Sequence, residues 1–196
     1  MIFFIVGVSG AGKSTLIKNL KEHFRGDDRV VFVPSFSTRQ MREGEKQGDP
    51  YFFISKDEFK RKIERGDFLE RAVVHGKHFY GTDKQSVLKP LEEGKIVIKE
   101  LDMNWLLWLL QKNEIPGKFK TIFLDLPIKE IKNRILQRQP DISMEELESR
   151  VQSWMEEKVL GQKLVDFMID ASVPPQKVLE EVLEIIEREG LKEGLK

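Results

Sequence analysis

The sequence predicts an α/β fold, a mainly parallel sheet flanked by helices, with a polar lobe inserted into it. Three observations carry that expectation. Short apolar runs alternate along the chain with stretches of helical periodicity, the order that gives parallel strands joined by crossover helices. The first apolar run ends in a glycine-rich turn that opens straight into an amphipathic stretch. A polar region rich in arginine and glycine, from about Ser35 to Pro90, then interrupts the alternation.

Taken in order, "MIFFIV" (Met1 to Val6) reads as a buried strand. After the turn, Leu16, Ile17, Leu20 and Phe24 share one helical face, and "RVVFVP", closed by Pro34, reads as a second strand. "SFSTRQMREGEKQGDPYFFIS" reads as a loop carrying short strands. In "SKDEFKRKIERG", Ser55 with Glu58 forms a helix start and Gly66 a stop. "DFLERAVVHGKHFYGTDK" has strand-like and turn-like composition. "KIVIKEL" (Lys95 to Leu101) and "KTIFLDLP" (Lys120 to Pro127) are further apolar strands. Pro127 suits the first turn of a helix through "IKEIKNRILQR". Ser143 and Glu146 fit a capping box before a helix whose inner face holds Leu147, Val151 and Trp154. "VDFMID" is the fifth strand of the alternation, and Val178, Val182 and Ile186 mark a closing amphipathic helix. The nearly all-apolar "NWLLWLL" is expected to be a deeply buried helix.

Composition narrows the function classes. Hydrophobic residues make up 40% of 196, enough for one sizeable core. Lysine plus arginine number 33 against 33 acids, so no global field gathers nucleic acid. The absence of cysteine excludes disulfides, thiol catalysis and thiolate metal sites, and fits a cytoplasmic protein. No apolar stretch has the length of a membrane span, and the first residues lack a signal-peptide pattern, so neither membrane nor secretion is expected. His75 and His78 are spaced as metal ligands could be, but nothing nearby offers a third, and they read as packing or solvent-facing residues.

The strongest chemical signal is "GVSGAGKS", Gly7 to Ser14, which has the spacing G-x-x-x-x-G-K-S/T between a strand and a helix. Backbone N–H groups of Gly7, Ser9, Gly10, Ala11 and Gly12 can surround an anion without side-chain obstruction. The helix start adds its unpaired N–H groups. Lys13 reaches the outer phosphates, Ser14 can ligate Mg2+, and Thr15 offers a further phosphate contact. The competing reading is a structural glycine turn, but the glycines, the Lys-Ser pair and both flanks coincide. No N-K-x-D base-reading motif of a GTPase follows. The length and the polar insertion favour a small kinase over an ATP-driven machine.

Four further segments resemble the guanylate kinase family of nucleoside monophosphate kinases. "SFSTRQMREGE" is similar to the family's S-x-T-T-R-x-x-R-x-G-E, which implies that Ser35, Arg39 and Arg42 hold the phosphate of GMP. Arginine forks suit phosphate oxygens. Tyr51, nine residues after Arg42, resembles the tyrosine that contacts the same phosphate. Glu70 resembles the acid that accepts hydrogen bonds from guanine, and Tyr80 with Thr82 resembles the Y-G-S/T element. In "IVIKELDMN", Glu100 and Asp102 resemble the D-x-D acids, Glu100 toward magnesium and Asp102 toward the acceptor. Asn104-Trp105 departs from the family's Q-G continuation, and Ala171 stands where the family has an asparagine near the adenine.

Arg134 and Arg138, four apart, share a helical face and resemble the start of the family's lid, with Arg150 as its trailing arginine. The resemblance implies a core of residues 1–34, 95–133 and 151–196, an acceptor lobe 35–94 and a lid 134–150. It implies in-line transfer from ATP, with Mg2+, to GMP or dGMP, in purine nucleotide metabolism. Lys13, Arg138, Arg150 and Asp102 would be the catalytic groups, and Arg134 and Arg138 would grip the donor phosphates. The expected state is a monomer or homodimer. Two alternatives remain at this point: a kinase for another nucleoside monophosphate or small phosphorylated metabolite, and a non-catalytic interaction module.

Overall fold

The computed structural model describes residues 1–8, 10–74, 78–112 and 117–191. In chain order the elements begin with β1 (Ile2–Gly7), α1 (Lys13–His23), β2 (Val30–Phe32), β3 (Ser35–Ser37), β4 (Lys46–Gln47) and β5 (Pro50–Phe53). Next come α2 (Lys56–Glu64), β6 (Phe68–Val74), β7 (His78–Asp83), α3 (Lys84–Glu92) and β8 (Ile96–Glu100). The last are α4 (Met103–Lys112), β9 (Phe119–Asp125), α5 (Ile128–Arg138), α6 (Met144–Leu164), β10 (Phe167–Asp170) and α7 (Pro175–Ile186). The chain divides into two compact units, Met1–Asp27 with Glu100–Lys196, and Asp28–Lys99.

In the first unit, β10, β9 and β1 lie side by side and parallel, with Ile2 opposite Phe119 and Gly7 opposite Leu124. All six residues of β1 are buried, as a parallel strand covered on both faces requires. The closing helix α7 presents Val178, Leu179, Val182, Ile185 and Ile186 to the core and packs on α1. Helix α6 packs against β1, α4 and α5. It comes so close to β9 that a Cβ on Gly161 would lie 3.0 Å from the Phe123 ring.

In the second unit, β2 and β8 pair in parallel, Val30 opposite Ile96. A separate mixed sheet runs β4-β5-β3-β7-β6, with β3 parallel to β5 and antiparallel to β7. Its core is aromatic: the Phe59 ring stacks on Phe68 at 4.5 Å and lies 5.5 Å from Phe79.

The caps expected from sequence form. Ser55 accepts from Glu58 N at 3.1 Å and Ser143 from Glu146 N at 3.1 Å. The Glu146 carboxylate, however, pairs with Arg150 at 2.6 Å rather than completing a capping box. Pro127 sits at the N-cap of α5, one position earlier than the first turn. Helix α4 is not buried all round: Met103, Leu106 and Leu109 are buried, while Trp105, Leu107, Trp108 and Leu110 are half-buried. Helix α3 has no counterpart in the sequence reading. It buries only Val87 and contains Pro90, so no periodicity announces it; Asp83 caps it by accepting from Ser86 N at 3.0 Å.

Candidate active site

The first unit builds an anion cradle. Gly7 ends β1 at φ 145°, where a Cβ would lie 2.9 Å from the Leu124 carbonyl oxygen, so neither the conformation nor the space admits a side chain. Gly12, at φ 97°, is the N-cap of α1 and provides no side-chain cap, and no acid stands in the helix's first turn. The first N–H groups of α1 are therefore left for an external anion, in the positive field of the helix end.

Lys13 donates to Gly7 O at 2.6 Å and Val8 O at 3.2 Å, which folds its ammonium back over the loop, 4.0 Å from the Glu100 carboxylate. Ser14 and Thr15 are exposed on the first turn. Arg134, on α5, braces the loop from outside: it donates to Gly10 O at 3.1 Å and to Ala171 O at 3.2 Å. Asp102 is exposed before α4 and accepts from Asn104 N at 2.9 Å. Arg150 is held on the solvent face of α6 by Glu146 at 2.6 Å and Gln139 at 3.3 Å, apart from the cradle contacts. Arg138 ends α5, but its side chain lies outside the described part, as do residues Ser9 and His75.

Nothing in the sequence around Glu157 marks it as a site residue. Burial on α6 and the negative charge of Asp102 raise its carboxyl to about 7, while Lys13 and a hydrogen bond with Ser153 pull it back. Because the folded state holds this proton more tightly than the unfolded chain, stability falls as pH rises from about 4.5 to about 7. Glu157→Gln is therefore expected to melt close to the wild type at pH 4.5. Above pH 7 it should be more stable, by about 3 kcal/mol, as thermal melts across that range would read.

The second unit builds a guanidinium cage. The end of Arg39 is gripped by Glu45, which accepts from Nη1 at 2.7 Å and Nη2 at 2.6 Å; 9% of the Arg39 side chain and 17% of that of Glu45 are exposed. The same carboxylate accepts from Arg42 N at 2.7 Å, and Arg39 Nη1 also donates to Gln40 O at 2.9 Å. The guanidinium also lies 5.1 Å from the Tyr51 ring and 4.9 Å from that of Phe53, two rings on one face of β5. The hydrogen bonds to Arg39, with a smaller part from Arg42 N, draw the Glu45 carboxyl down to about 2 and hold Arg39 more firmly protonated.

Among the described residues the Nε edge of Arg39 has no partner, so one bidentate edge of the fork remains for an oxyanion. Tyr51 lies 5.6 Å from the Tyr80 ring and is in register with Ser35. The Arg42 side chain is exposed. Buried Thr82 donates to buried Glu70, which fixes that carboxylate. Ser37 and Thr38 serve the scaffold, accepting from Arg39 N at 3.3 Å and Phe79 N at 2.9 Å. Glu45 closes the arginine motif in the sequence, and only the fold shows that it holds Arg39.

Comparison with known proteins extends this picture. The guanylate kinase family model matches residues 2–189. A guanylate kinase of Campylobacter jejuni is 38% identical over 157 residues, 80% of this chain and 74% of the relative. One from Helicobacter pylori is 43% identical over 155 residues, 76% of this chain and 69% of the relative. The crystal structure of guanylate kinase from Anaplasma phagocytophilum superposes with TM-score 0.69, covering 97% of this chain and 86% of that one. At 21% sequence identity, that likeness establishes the fold. With a glycine cradle at the head of α1 and a family match that runs almost end to end, the chain belongs to the guanylate kinase family.

Proposed function

We propose that the protein transfers the terminal phosphate of ATP to GMP, and to dGMP, giving ADP and GDP or dGDP. The observation that carries this reading is the uncapped start of α1 under Gly7–Ser14, with Lys13 and Ser14 intact, in a chain of this family. Intact phosphate-binding residues favour an enzyme over an interaction module. In this reading the first unit takes ATP and the second takes the acceptor, with residues 134–150 as lid. Arg39 through its Nε edge, Arg42, Ser35 and Tyr51 hold the acceptor phosphate; Tyr80 supports them. Glu70, fixed by Thr82, accepts from the guanine edge, where two adjacent N–H donors face one carboxylate.

An acceptor phosphate is already a nucleophile, so no strong general base is required. Catalysis is positioning and electrostatic: Lys13 leaves the loop carbonyls for the outer phosphates, with Arg138 and Arg150 supplying charge on closure. Asp102 positions the acceptor. The residues fit Mg2+: Ser14 and Glu100 offer hard oxygen donors. No cluster of three or more acidic, histidine or cysteine ligands occurs among the described residues, so its other ligands would be phosphate and water. When bound, the ion offsets charge on the phosphate oxygens. No helix among the described residues is long and apolar enough to cross a membrane, and the cytoplasm is the proposed place of work.

The test is ADP production from ATP and Mg2+ with GMP, dGMP, AMP, CMP and a sugar phosphate in turn. Turnover with GMP and dGMP is expected. Turnover with only the other acceptors, or with none, overturns the reading.

A further inference from the structure

Lys99 breaks the apolar run of β8. Ile96, Val97 and Ile98 before it are buried, and Lys99 itself is only 4% exposed. A charged side chain is unfavourable at such depth unless specific groups meet it, and a lysine kept there despite that is a candidate for a functional role. Its Nζ lies 2.6 Å from Ser35 Oγ, across 64 positions of sequence.

The chemistry of this contact is directional. An ammonium has three donors and no acceptor, so Lys99 donates and Ser35 Oγ accepts. A serine hydroxyl carries one hydrogen, which must then point away from Lys99. Among the described residues Ser35 Oγ bonds to Lys99, and its own hydrogen is left to serve another acceptor. Ser35 is in parallel register with Tyr51, and paired residues on neighbouring strands face the same side of a sheet. Tyr51 is the residue whose ring carries the Arg39 guanidinium at 5.1 Å. Lys99, Ser35, Tyr51 and Arg39 thus form one connected set within the second unit.

We propose that Lys99 is a positioning residue for the acceptor phosphate, which presets Ser35 as a hydrogen-bond donor to that phosphate and adds a buried positive charge behind it. This rests on the assignment of Ser35 and Arg39 to the phosphate of GMP. A phosphate monoester offers only acceptor oxygens near neutral pH. A hydroxyl free to rotate spends part of its time presenting lone pairs to them; one held by Lys99 does not.

The test uses the full chain and compares GMP with guanosine, which lacks the phosphate. Lys99→Met keeps the length and suits the buried site. It is expected to weaken GMP binding by about 10- to 100-fold, the range for a hydrogen bond to a charged group. Guanosine binding should stay within about twofold. In turnover, KM for GMP should rise while KM for ATP holds. Ser35→Ala should lose a similar factor, and the double variant little more than the worse single one, because the two act as a unit. Should Lys99→Met fail to fold, Lys99→Gln carries the same comparison. Unchanged GMP binding, or an equal loss for guanosine, overturns the proposal. If Ser35→Ala and Arg39→Ala also bind GMP normally, the phosphate assignment falls and Lys99 with it. If those two weaken GMP and Lys99→Met does not, only the role of Lys99 falls.

Discussion

Lys13→Ala lowers kcat for GMP phosphorylation by on the order of a thousandfold, in a protein that still folds. The size of the effect follows from where charge develops. As the bond to the leaving oxygen lengthens, negative charge gathers on phosphate oxygens, and a preorganised donor aimed there acts without reorganisation. The ammonium is already at the cradle, tethered to Gly7 O at 2.6 Å and Val8 O at 3.2 Å. Alanine suits the first turn of α1, and two partly exposed carbonyl contacts are lost, so stability should fall by only about 1 kcal/mol. Steady-state ADP production together with a thermal melt checks both halves. Turnover within tenfold of the wild type would refute the donor assignment.

Arg39→Ala is the second large effect: KM for GMP rises by about 100-fold or more, with KM for ATP unchanged. The guanidinium does two jobs through two edges, its end held by Glu45 and its Nε side left for phosphate. Lysine cannot replace it, because a point ammonium has no second bidentate edge, so Arg39→Lys should recover little. The variant also strands Glu45. Its carboxyl, drawn down to about 2 by Arg39, favours the folded state above the unfolded value near 4.5, and that contribution disappears as pH falls through about 2. The stability gap between wild type and Arg39→Ala should therefore narrow as pH falls from about 4.5 toward 2, as denaturant melts would read. A GMP KM within threefold of the wild type would remove Arg39 from the acceptor site.

The parts legible in the sequence are those whose cause is local. The strand-turn-helix of Ile2–His23, the caps at Ser55 and Ser143 and the apolar stripe of α7 are each written within one short continuous stretch of chain. Helix α3 is not legible in the sequence because one buried residue, Val87, makes no stripe. The apolar composition of α4 predicts full burial because composition cannot say that only the face of Met103, Leu106 and Leu109 meets the core. Glu45, Lys99 and Glu157 have a different reason. Their significance comes from partners that only the fold supplies: the fork of Arg39, the hydroxyl of Ser35, and the charges of Asp102 and Lys13. A polar residue inside "IVIKEL" was the available signal for Lys99, as the acid closing the arginine motif was for Glu45.

The two carbonyls that Arg134 joins, those of Gly10 and Ala171, are 124 and 37 residues away from it along the chain. The phosphate-gripping segment thus owes part of its stiffness to a strut rooted elsewhere in the polypeptide. Grafting Gly7–Ser14 into a foreign scaffold would transplant the lettering of the loop without its scaffolding pole, and a faithful copy of the motif would come out slack.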